Sequence, residues 1–316
     1  MSEVIRPMRA FFDTNHLVNL HRVRSGGSLA ASEGTERHEA YLILAELIGS
    51  GRLLPLFFES QSYEWIHGKP ESLKTQIASV LDSAPSVLSM LPDPEVFLVE
   101  GLNEAKRIDP NIDYPGFEIV EQLGGHNSLG LWMSAHSLTD AKPEWRQPVE
   151  TGSVKDFVMA LADAIRGRSA EWREGISGDA FALEVTRKTQ KKNSRLDDAT
   201  RRGWFQSAHN LQGVLRSIGA SLDPGEIIQQ IDLEKCPATV LRVETVWKFA
   251  KSNRKHKQND MTDLAMLAPL AYADVALIEK SLHDCVRQTG LSGYMERVHR
   301  DVVSMVEYVA RRDELG

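Results

Sequence analysis

The stretch RPMRAFFDTNHLVNL, residues 6–20, decides the fold. Its apolar run, rich in aromatic residues, ends abruptly at Asp13-Thr14-Asn15, and an amphipathic segment follows. A short run of this kind is typical of a buried β-strand. We therefore predict a strand over residues 8–13 that ends in a carboxylate.

The next segments extend this arrangement. HEAYLILAELIGSGR, residues 38–52, carries apolar residues at helical spacing until Gly49 and Gly51 end the pattern. LLPLFFES, residues 53–60, is a second compact apolar run, and QSYEWIHG, residues 61–68, opens another helix. Two apolar strands separated by a helix indicate a parallel pair with a crossover connection.

The middle of the chain, from about residue 81 to 235, has a different composition. It begins rich in proline and glycine and then becomes helical, as in SVKDFVMALADAIRGRSAEW, residues 153–172, which starts with a capping signature at Ser153 and Asp156. It shows no alternation typical of strands. We predict a large, mainly α-helical insertion over 81–235, between an N-terminal part, 1–80, and a C-terminal part, 236–316.

Strand character returns near the end of the chain. NDMTDLAMLAPLAYADVALIEKSLHDCV, residues 259–286, predicts a helix from Met261, a break at Tyr272–Asp274, a buried strand over VALI, 275–278, and a further helix. The tail, residues 294–316, has valines at helical spacing and predicts a closing helix. The fold class is α/β, with a small, mostly parallel sheet, flanking helices and the helical insertion.

The composition limits the class of protein. The 316 residues are 42% hydrophobic and 26% charged, as in ordinary globular proteins, and nothing approaches the roughly 18 consecutive apolar residues of a membrane span. We expect a cytoplasmic protein without a membrane partner. The two cysteines, Cys236 and Cys285, have no metal-ligand spacing. A net charge of -7 argues against holding nucleic acid by global attraction but leaves room for a local basic surface.

Acidic residues follow the predicted strands. Asp13 ends the first strand, Glu279 ends the last, and Glu64 lies in the first turns of the helix after the second. Asp260 and Asp263, at the start of the helix before the last strand, add two more. Because the carboxyl ends of parallel strands line the crevice where ligands bind, these side chains could converge on one end of one sheet.

A shared acidic site of this kind favours a divalent cation. Neighbouring carboxylates repel one another, and a cation removes that penalty. Mg²⁺ and Mn²⁺ prefer carboxylate oxygens and water, so acidic residues without clustered His or Cys point to those ions rather than to zinc. Such ions activate a water for attack on a phosphodiester.

Three motifs resemble the PIN-domain family of metal-dependent nucleases. AFFDTNHLVNL is similar to the family's first strand, which ends in Asp-Thr-Asn at the metal site, and LLPLFFESQSYEWI is similar to the second strand and following helix. NDMTDLAMLAPLAYADVALIEK resembles the later block, with an Asp-x-x-Asp helix start and an acidic residue after the last strand. The resemblance covers the two ends of the chain, about half of it.

The resemblance implies roles for individual residues. Asp13 is the central metal ligand, with Asn15 nearby as a polar support, and Glu64 with one or both of Asp260 and Asp263 completes the site. Glu279 stands where the family usually has Asp, so its longer arm holds a metal less tightly or through water. Asp274 is an additional acidic residue without a fixed role.

Ordinary structural roles remain alternatives for these residues. Asp13 or Asn15 could cap the following helix, and Asn259 or Asp260 could cap the helix from Met261. The chain also has two basic stretches, and each is either a solvated face or a surface that binds phosphate groups. The residues that would bind nucleic acid are Lys191, Lys192 and Arg195 in the first and Lys251, Arg254, Lys255 and Lys257 in the second, which abuts the proposed site.

The leading hypothesis is a Mg²⁺- or Mn²⁺-dependent nuclease that acts on RNA rather than DNA, as the family resemblance implies. One alternative is a non-catalytic PIN-like module that binds nucleic acid. Another is a phosphatase of the haloacid-dehalogenase type with Asp13 as nucleophile, although that family needs a second Asp where this chain has Asn15. A homodimer and an inhibitory protein partner, as in toxin members of the PIN family, are further expectations.

Overall fold

The computed structural model describes residues 6–29, 34–58, 61, 71–91, 93–122, 186, 196–251 and 266–315. Within these residues the strands are β1 Met8–Phe12, β2 Leu53–Phe58, β3 Leu88–Met90, β4 Val120–Gln122, β5 Val275–Leu277 and β6 Val298–His299. The helices are α1 Thr14–Arg24, α2 Gly34–Gly49, α3 Glu71–Leu81, α4 Asp93–Ile108, α5 Asp198–His209, α6 Leu211–Ser217, α7 Pro224–Gln230, α8 Pro237–Lys251, α9 Leu267–Tyr272, α10 Lys280–Thr289, α11 Ser292–Met295 and α12 Val302–Leu315.

The described strands form one sheet in the order β4-β3-β2-β1-β5-β6. The pairs β1–β2, β1–β5 and β5–β6 are parallel. The predicted α/β class with a mostly parallel sheet and flanking helices is therefore confirmed. From β1 the chain proceeds to β2 and β3 on one side and later places β5 and β6 on the other, so the strand order reverses between β1 and β5. In open parallel sheets such a switch point opens a crevice at the carboxyl ends of the strands.

The three strands predicted from apolar runs are confirmed. In β1, the last three residues, Ala10 to Phe12, are at most 2% exposed, and β5 is buried throughout. β2 is buried at five of its six positions. Strands covered on both faces need continuous apolar runs rather than alternation, which is why the sequence displayed them clearly.

The prediction that the region 81–235 lacks strands was wrong. β3 and β4 lie within it, and each has only three residues. The predicted closing helix was also wrong at its start, because Val298 belongs to β6 and the helix α12 begins at Val302. Strands of two or three residues are too short to show any periodicity, so only pairing with a neighbour reveals them.

Several predicted elements lie outside the described residues. These are the helix over 61–68 except for Gln61, the helix over 153–172, and the start of the helix at Met261. Within the described part of that predicted range, residues 266–272, the helix is α9. Helix α2 is confirmed, although it begins at Gly34 rather than at residue 38.

The chain divides into two compact units. Among the described residues, the first falls in Met1–Ser89 and Tyr272–Gly316, and the second in Met90–Pro148 and Ser169–Ala271. The first holds β1, β2, β5 and β6. The predicted boundaries at residues 80 and 235 stay predictions, and the described helix α8, beyond residue 235, falls in the second unit.

The second unit is built around helix α4. Its apolar core includes Leu102, Phe205 and Ile227, all fully buried. The buried carboxylate of Glu100 accepts hydrogen bonds from the backbone N–H groups of Ala238 and Thr239, both at 2.8 Å. These N–H groups open helix α8 and have no partner within their helix, so α4 supplies the cap.

In the part of the chain that the structure describes, no helix combines the length and the apolar character needed to cross a membrane.

Candidate functional site at the carboxyl edge of the sheet

Asp13 lies between β1 and α1, as the sequence predicts. Its backbone is extended, and its Oδ1 accepts a hydrogen bond from the N–H of Asn15 at 3.4 Å. Its backbone carbonyl accepts from the N–H groups of His16 and Leu17, which begin the helix. The capping alternative is therefore confirmed for Asp13, although 3.4 Å is long for a hydrogen bond between N–H and oxygen.

The structure brings Asp13 and Glu279 together. The β1–β5 ladder continues past the end of β1 through the N–H of Asp13, which donates to the carbonyl of Leu277 at 2.9 Å. The next bond of a parallel ladder would join the N–H of Glu279 to the backbone carbonyl of Asp13. Instead, the N–H of Glu279 donates to Oδ2 of Asp13 at 3.3 Å, because that carbonyl has turned into α1. The Asp13 carboxylate thus stands where β1 and β5 separate.

A side chain also takes the place of a backbone hydrogen bond between β1 and β2, on the other side of β1. The register of β1 and β2, and the bond from the N–H of Met8 to the carbonyl of Arg52, place Phe58 N–H opposite the carbonyl of Phe12. The amide of Gln61 lies between these groups. Its Oε1 accepts from Phe58 N–H at 3.1 Å, and its Nε2 donates to Phe12 at 2.6 Å.

Gln61 is not among the site residues predicted from the sequence. The side chain is 2% exposed, which is unusual for glutamine and requires that its amide be hydrogen-bonded. A glutamine three residues after an apolar strand carries no motif that distinguishes it from a surface residue. Only the register of the two strands shows which groups it joins.

His16 was also missed. It is 8% exposed and its Nδ1 lies 2.8 Å from the hydroxyl of Tyr41. Burial lowers the pKa of His16 to about 4, with a smaller opposing contribution from the backbone of Ile278, the residue before Glu279. The imidazole is therefore neutral at pH 7, and the Tyr41 hydroxyl donates to it if Nε2 carries the proton. The available signal was a polar residue on the buried face of α1, with Leu20 one turn later.

A further acidic residue follows β6. Asp301 caps α12 through a 2.9 Å bond from the N–H of Val303 to its Oδ1, and that oxygen lies 3.9 Å from Nε of Arg37. Asp301 and Arg37 both influence the pKa of His16, in opposite directions. Because β6 was not predicted, the sequence did not show that Asp301 follows a strand. The ion pair is partly exposed and contributes little to stability.

Asp274 lies at the opposite edge of the sheet. Its Oδ2 accepts from the N–H of Arg9 at 2.8 Å, and its own N–H donates to the Arg9 carbonyl at 2.8 Å. Arg9 is near the start of β1, and Asp274 directly precedes β5. At a rise of about 3.3 Å per residue, the five residues from Asp274 to Glu279 separate the two by roughly 16 Å. Asp274 therefore joins β1 to β5 at their amino ends, away from Asp13.

The other predicted site residues are distributed as follows. Asn15 is exposed in the first turn of α1. Lys251 ends α8 in the second unit, exposed, with Nζ 6.0 Å from the ring centroid of Trp247. The residues that lie outside the described part of the chain are Glu64, Lys191, Lys192, Arg195, Arg254, Lys255, Lys257, Asp260 and Asp263.

Within the described residues, no group of three or more His, Cys, Asp or Glu side chains is placed to hold a metal ion. Of the predicted acidic residues, the described part contains Asp13 and Glu279 at the carboxyl edge. Their donor chemistry fits Mg²⁺ or Mn²⁺, which take carboxylate oxygens. A carboxylate offers about four lone-pair positions, so the two long hydrogen bonds to Asp13 are compatible with a metal ligand.

Comparisons with protein-family models, with curated proteins and with solved structures give no match for this chain.

Proposed function

We propose that the chain is a metal-dependent nuclease that hydrolyses phosphodiester bonds, with RNA rather than DNA as substrate. The observation that carries this proposal is the position of Asp13. Its carboxylate lies at the switch point of a mostly parallel sheet, with the N–H of Glu279 3.3 Å from Oδ2. Ligands of open α/β sheets bind at this place. The preference for RNA, and a PIN-like fold, rest on the resemblance of the sequence motifs.

The proposed roles follow from the chemistry of the side chains. Asp13 and Glu279 would hold Mg²⁺ or Mn²⁺ with Glu64 and one or both of Asp260 and Asp263. When bound, such an ion supplies a water of lowered pKa and stabilises charge at phosphorus. The backbone of Asp13 is held in place, because it begins α1 and its N–H remains in the β1–β5 ladder. Glu279 has one more methylene than Asp and reaches further from its strand.

The basic residues would bind the phosphates of a nucleic acid. Lys251, Arg254, Lys255 and Lys257 come shortly before Asp260 in the chain, and Lys191, Lys192 and Arg195 form a second basic stretch. Contacts of lysine and arginine with phosphates position a nucleic acid without reading its sequence. A local basic surface would reconcile a polyanionic substrate with the net charge of -7.

The test is an incubation of mixed RNA and DNA oligonucleotides with the protein, with and without Mn²⁺. We expect cleavage of RNA that requires Mn²⁺ and is lost in Asp13→Asn. Asp274→Asn is the matched control, since it neutralises a carboxylate at the opposite edge of the same two strands. Undiminished cleavage by Asp13→Asn would exclude this site, and cleavage of DNA alone would exclude the proposed substrate.

A non-catalytic module that binds nucleic acid is the second candidate. The observation that favours it is Glu279 in place of the family's usual Asp. Isothermal titration with Mn²⁺ distinguishes the nuclease from the non-catalytic module. Micromolar-range binding that Asp13→Asn abolishes supports the nuclease, whereas RNA binding without Mn²⁺ binding supports the module. A homodimer and an inhibitory protein partner stay predictions, to be tested by light scattering and by inhibition of any cleavage.

A further inference from the structure

The end of the β1–β2 ladder has an unusual construction. A direct bond from Phe58 N–H to the Phe12 carbonyl would continue the established register. The Gln61 amide replaces that bond with two, at 3.1 Å and 2.6 Å. Phe12 and Phe58 are therefore joined through an additional amide group.

The Gln61 amide also fixes the peptide group that carries Asp13. The carbonyl of Phe12 and the N–H of Asp13 belong to one planar peptide unit. Gln61 binds the carbonyl on the β2 side, while Leu277 accepts from the N–H at 2.9 Å on the β5 side. A peptide plane held from both sides cannot rotate freely. The direction in which the Asp13 side chain leaves the strand is therefore set in part by Gln61.

The burial of Gln61 excludes a role in solvation. At 2% exposure the amide has lost its water, and both of its heteroatoms are used in backbone bonds. Burying the amide adds little to the free energy of unfolding, because a direct hydrogen bond between Phe58 and Phe12 would satisfy the same backbone groups. The amide gives what a direct rung does not, which is a buried side chain bonded to the peptide group that carries Asp13.

We propose that Gln61 is a positioning residue, whose amide joins the carboxyl ends of β1 and β2, holds the peptide group between Phe12 and Asp13, and so directs the Asp13 carboxylate toward a divalent cation. This inference rests on the proposed metal site at Asp13. It assigns no contact between Gln61 and the metal or the substrate. Its role is exerted entirely through the backbone of Phe12 and Phe58.

The test compares the Mn²⁺ affinity and the stability of two Gln61 variants. Gln61→Met keeps the volume and removes both hydrogen bonds, so that Phe58 and Phe12 can pair directly. Gln61→Glu keeps the acceptor for Phe58 but sets a carboxylate against the Phe12 carbonyl. Thr245→Val is the control, because it removes a buried side-chain bond of 2.8 Å to the Leu241 carbonyl in the second unit.

We expect Gln61→Met to weaken Mn²⁺ binding at least 10-fold in isothermal titration, and Thr245→Val to leave it within 2-fold of wild type. For Gln61→Glu, the loss of affinity relative to wild type should shrink as pH falls, because a protonated carboxyl can again donate to Phe12. A purely structural role would not produce this pH dependence. In an Asp13→Asn background, Gln61→Met should have no further effect on metal binding.

The outcomes distinguish the proposed metal site at Asp13 from the proposed positioning role of Gln61. Wild type that binds no Mn²⁺ overturns the metal site and, with it, the role of Gln61. Wild type that binds Mn²⁺ with unchanged affinity in both Gln61 variants overturns the positioning role and leaves the metal site standing. If Gln61→Met does not fold, the pH dependence of Gln61→Glu decides alone, and affinity equal to wild type at every pH overturns the proposal.

Discussion

The backbone N–H of Glu279 donates to Oδ2 of Asp13 at 3.3 Å, in the place of the next rung of the β1–β5 ladder. The two residues are 266 positions apart in the chain. On the opposite side of β1, the Gln61 amide also replaces a rung. Side chains thus take the place of backbone hydrogen bonds on both sides of β1 at its carboxyl end.

Asp13 caps helix α1 and is the proposed metal ligand, and substitutions can separate these two roles. Asn caps helices as well as Asp does, so we expect Asp13→Asn to change the free energy of unfolding by less than about 0.5 kcal/mol, whereas Asp13→Ala should lower it by about 1 kcal/mol. Both variants should lose Mn²⁺ binding. Urea unfolding and isothermal titration provide the measurements. Equal destabilisation by Asn and Ala would show that charge, rather than capping, stabilises this helix start.

Glu279 and Asp274 should differ in their effect on metal binding. Glu279→Gln is expected to weaken Mn²⁺ affinity by about 10-fold, which corresponds to about 1.4 kcal/mol. Asp274→Asn should leave the affinity unchanged, because Asp274 lies at the amino ends of β1 and β5 beside Arg9. The titrations are made at one pH and salt concentration. An equal loss in both variants would indicate a general effect of net charge instead of a local site.

Stability should fall on acidification because of His16. Burial lowers the pKa of His16 to about 4, while the unfolded chain takes up its proton near pH 6.5. Between these values the unfolded state binds more protons, so the free energy of unfolding decreases as pH falls through this window, by up to about 3 kcal/mol. The pKa of His299 is also lowered to about 4 by burial, and adds a similar dependence.

His16→Gln tests this dependence. We expect its free energy of unfolding to change less than that of wild type between pH 7 and pH 4.5, in urea titrations at both values. Tyr41→Phe keeps the histidine and removes the hydroxyl that lies 2.8 Å from its Nδ1, so the slope of stability with pH should persist in that variant. A slope in His16→Gln equal to that of wild type would assign the dependence to other groups.

The Glu100 carboxylate should stabilise the second unit. It accepts from the N–H groups of Ala238 and Thr239 and from the Thr239 hydroxyl at 2.5 Å. Glu100→Leu leaves these buried donors without that acceptor, so we expect a loss of about 3 kcal/mol in urea unfolding. Glu226→Leu, on the exposed surface of α7, is the control. A loss of equal size in the control would contradict the capping role of Glu100.

The sequence by itself determined the strands β1, β2 and β5 and the position of two carboxylates after them. Buried parallel strands require continuous apolar runs, and a run that ends in Asp or Glu places that residue at a carboxyl end whatever the rest of the chain does. The parallel crossover from β1 to β2 followed from the helix between them. These features are local, so the short stretch of sequence around each strand was enough to predict it.

Tertiary structure alone decided which strands from distant parts of the chain are neighbours and which side chains meet. β5 lies beside β1 although more than 250 residues separate them, and that pairing brings Glu279 to Asp13 and sends Asp274 to the opposite edge. The short strands β3, β4 and β6 exist only because a neighbour supplies their hydrogen bonds. The hydrogen bonds of Gln61 depend on the register of β1 and β2, since the same residue on a surface helix would not link two strands. Ladder register is a relationship between distant segments, and no local pattern in the chain encodes it.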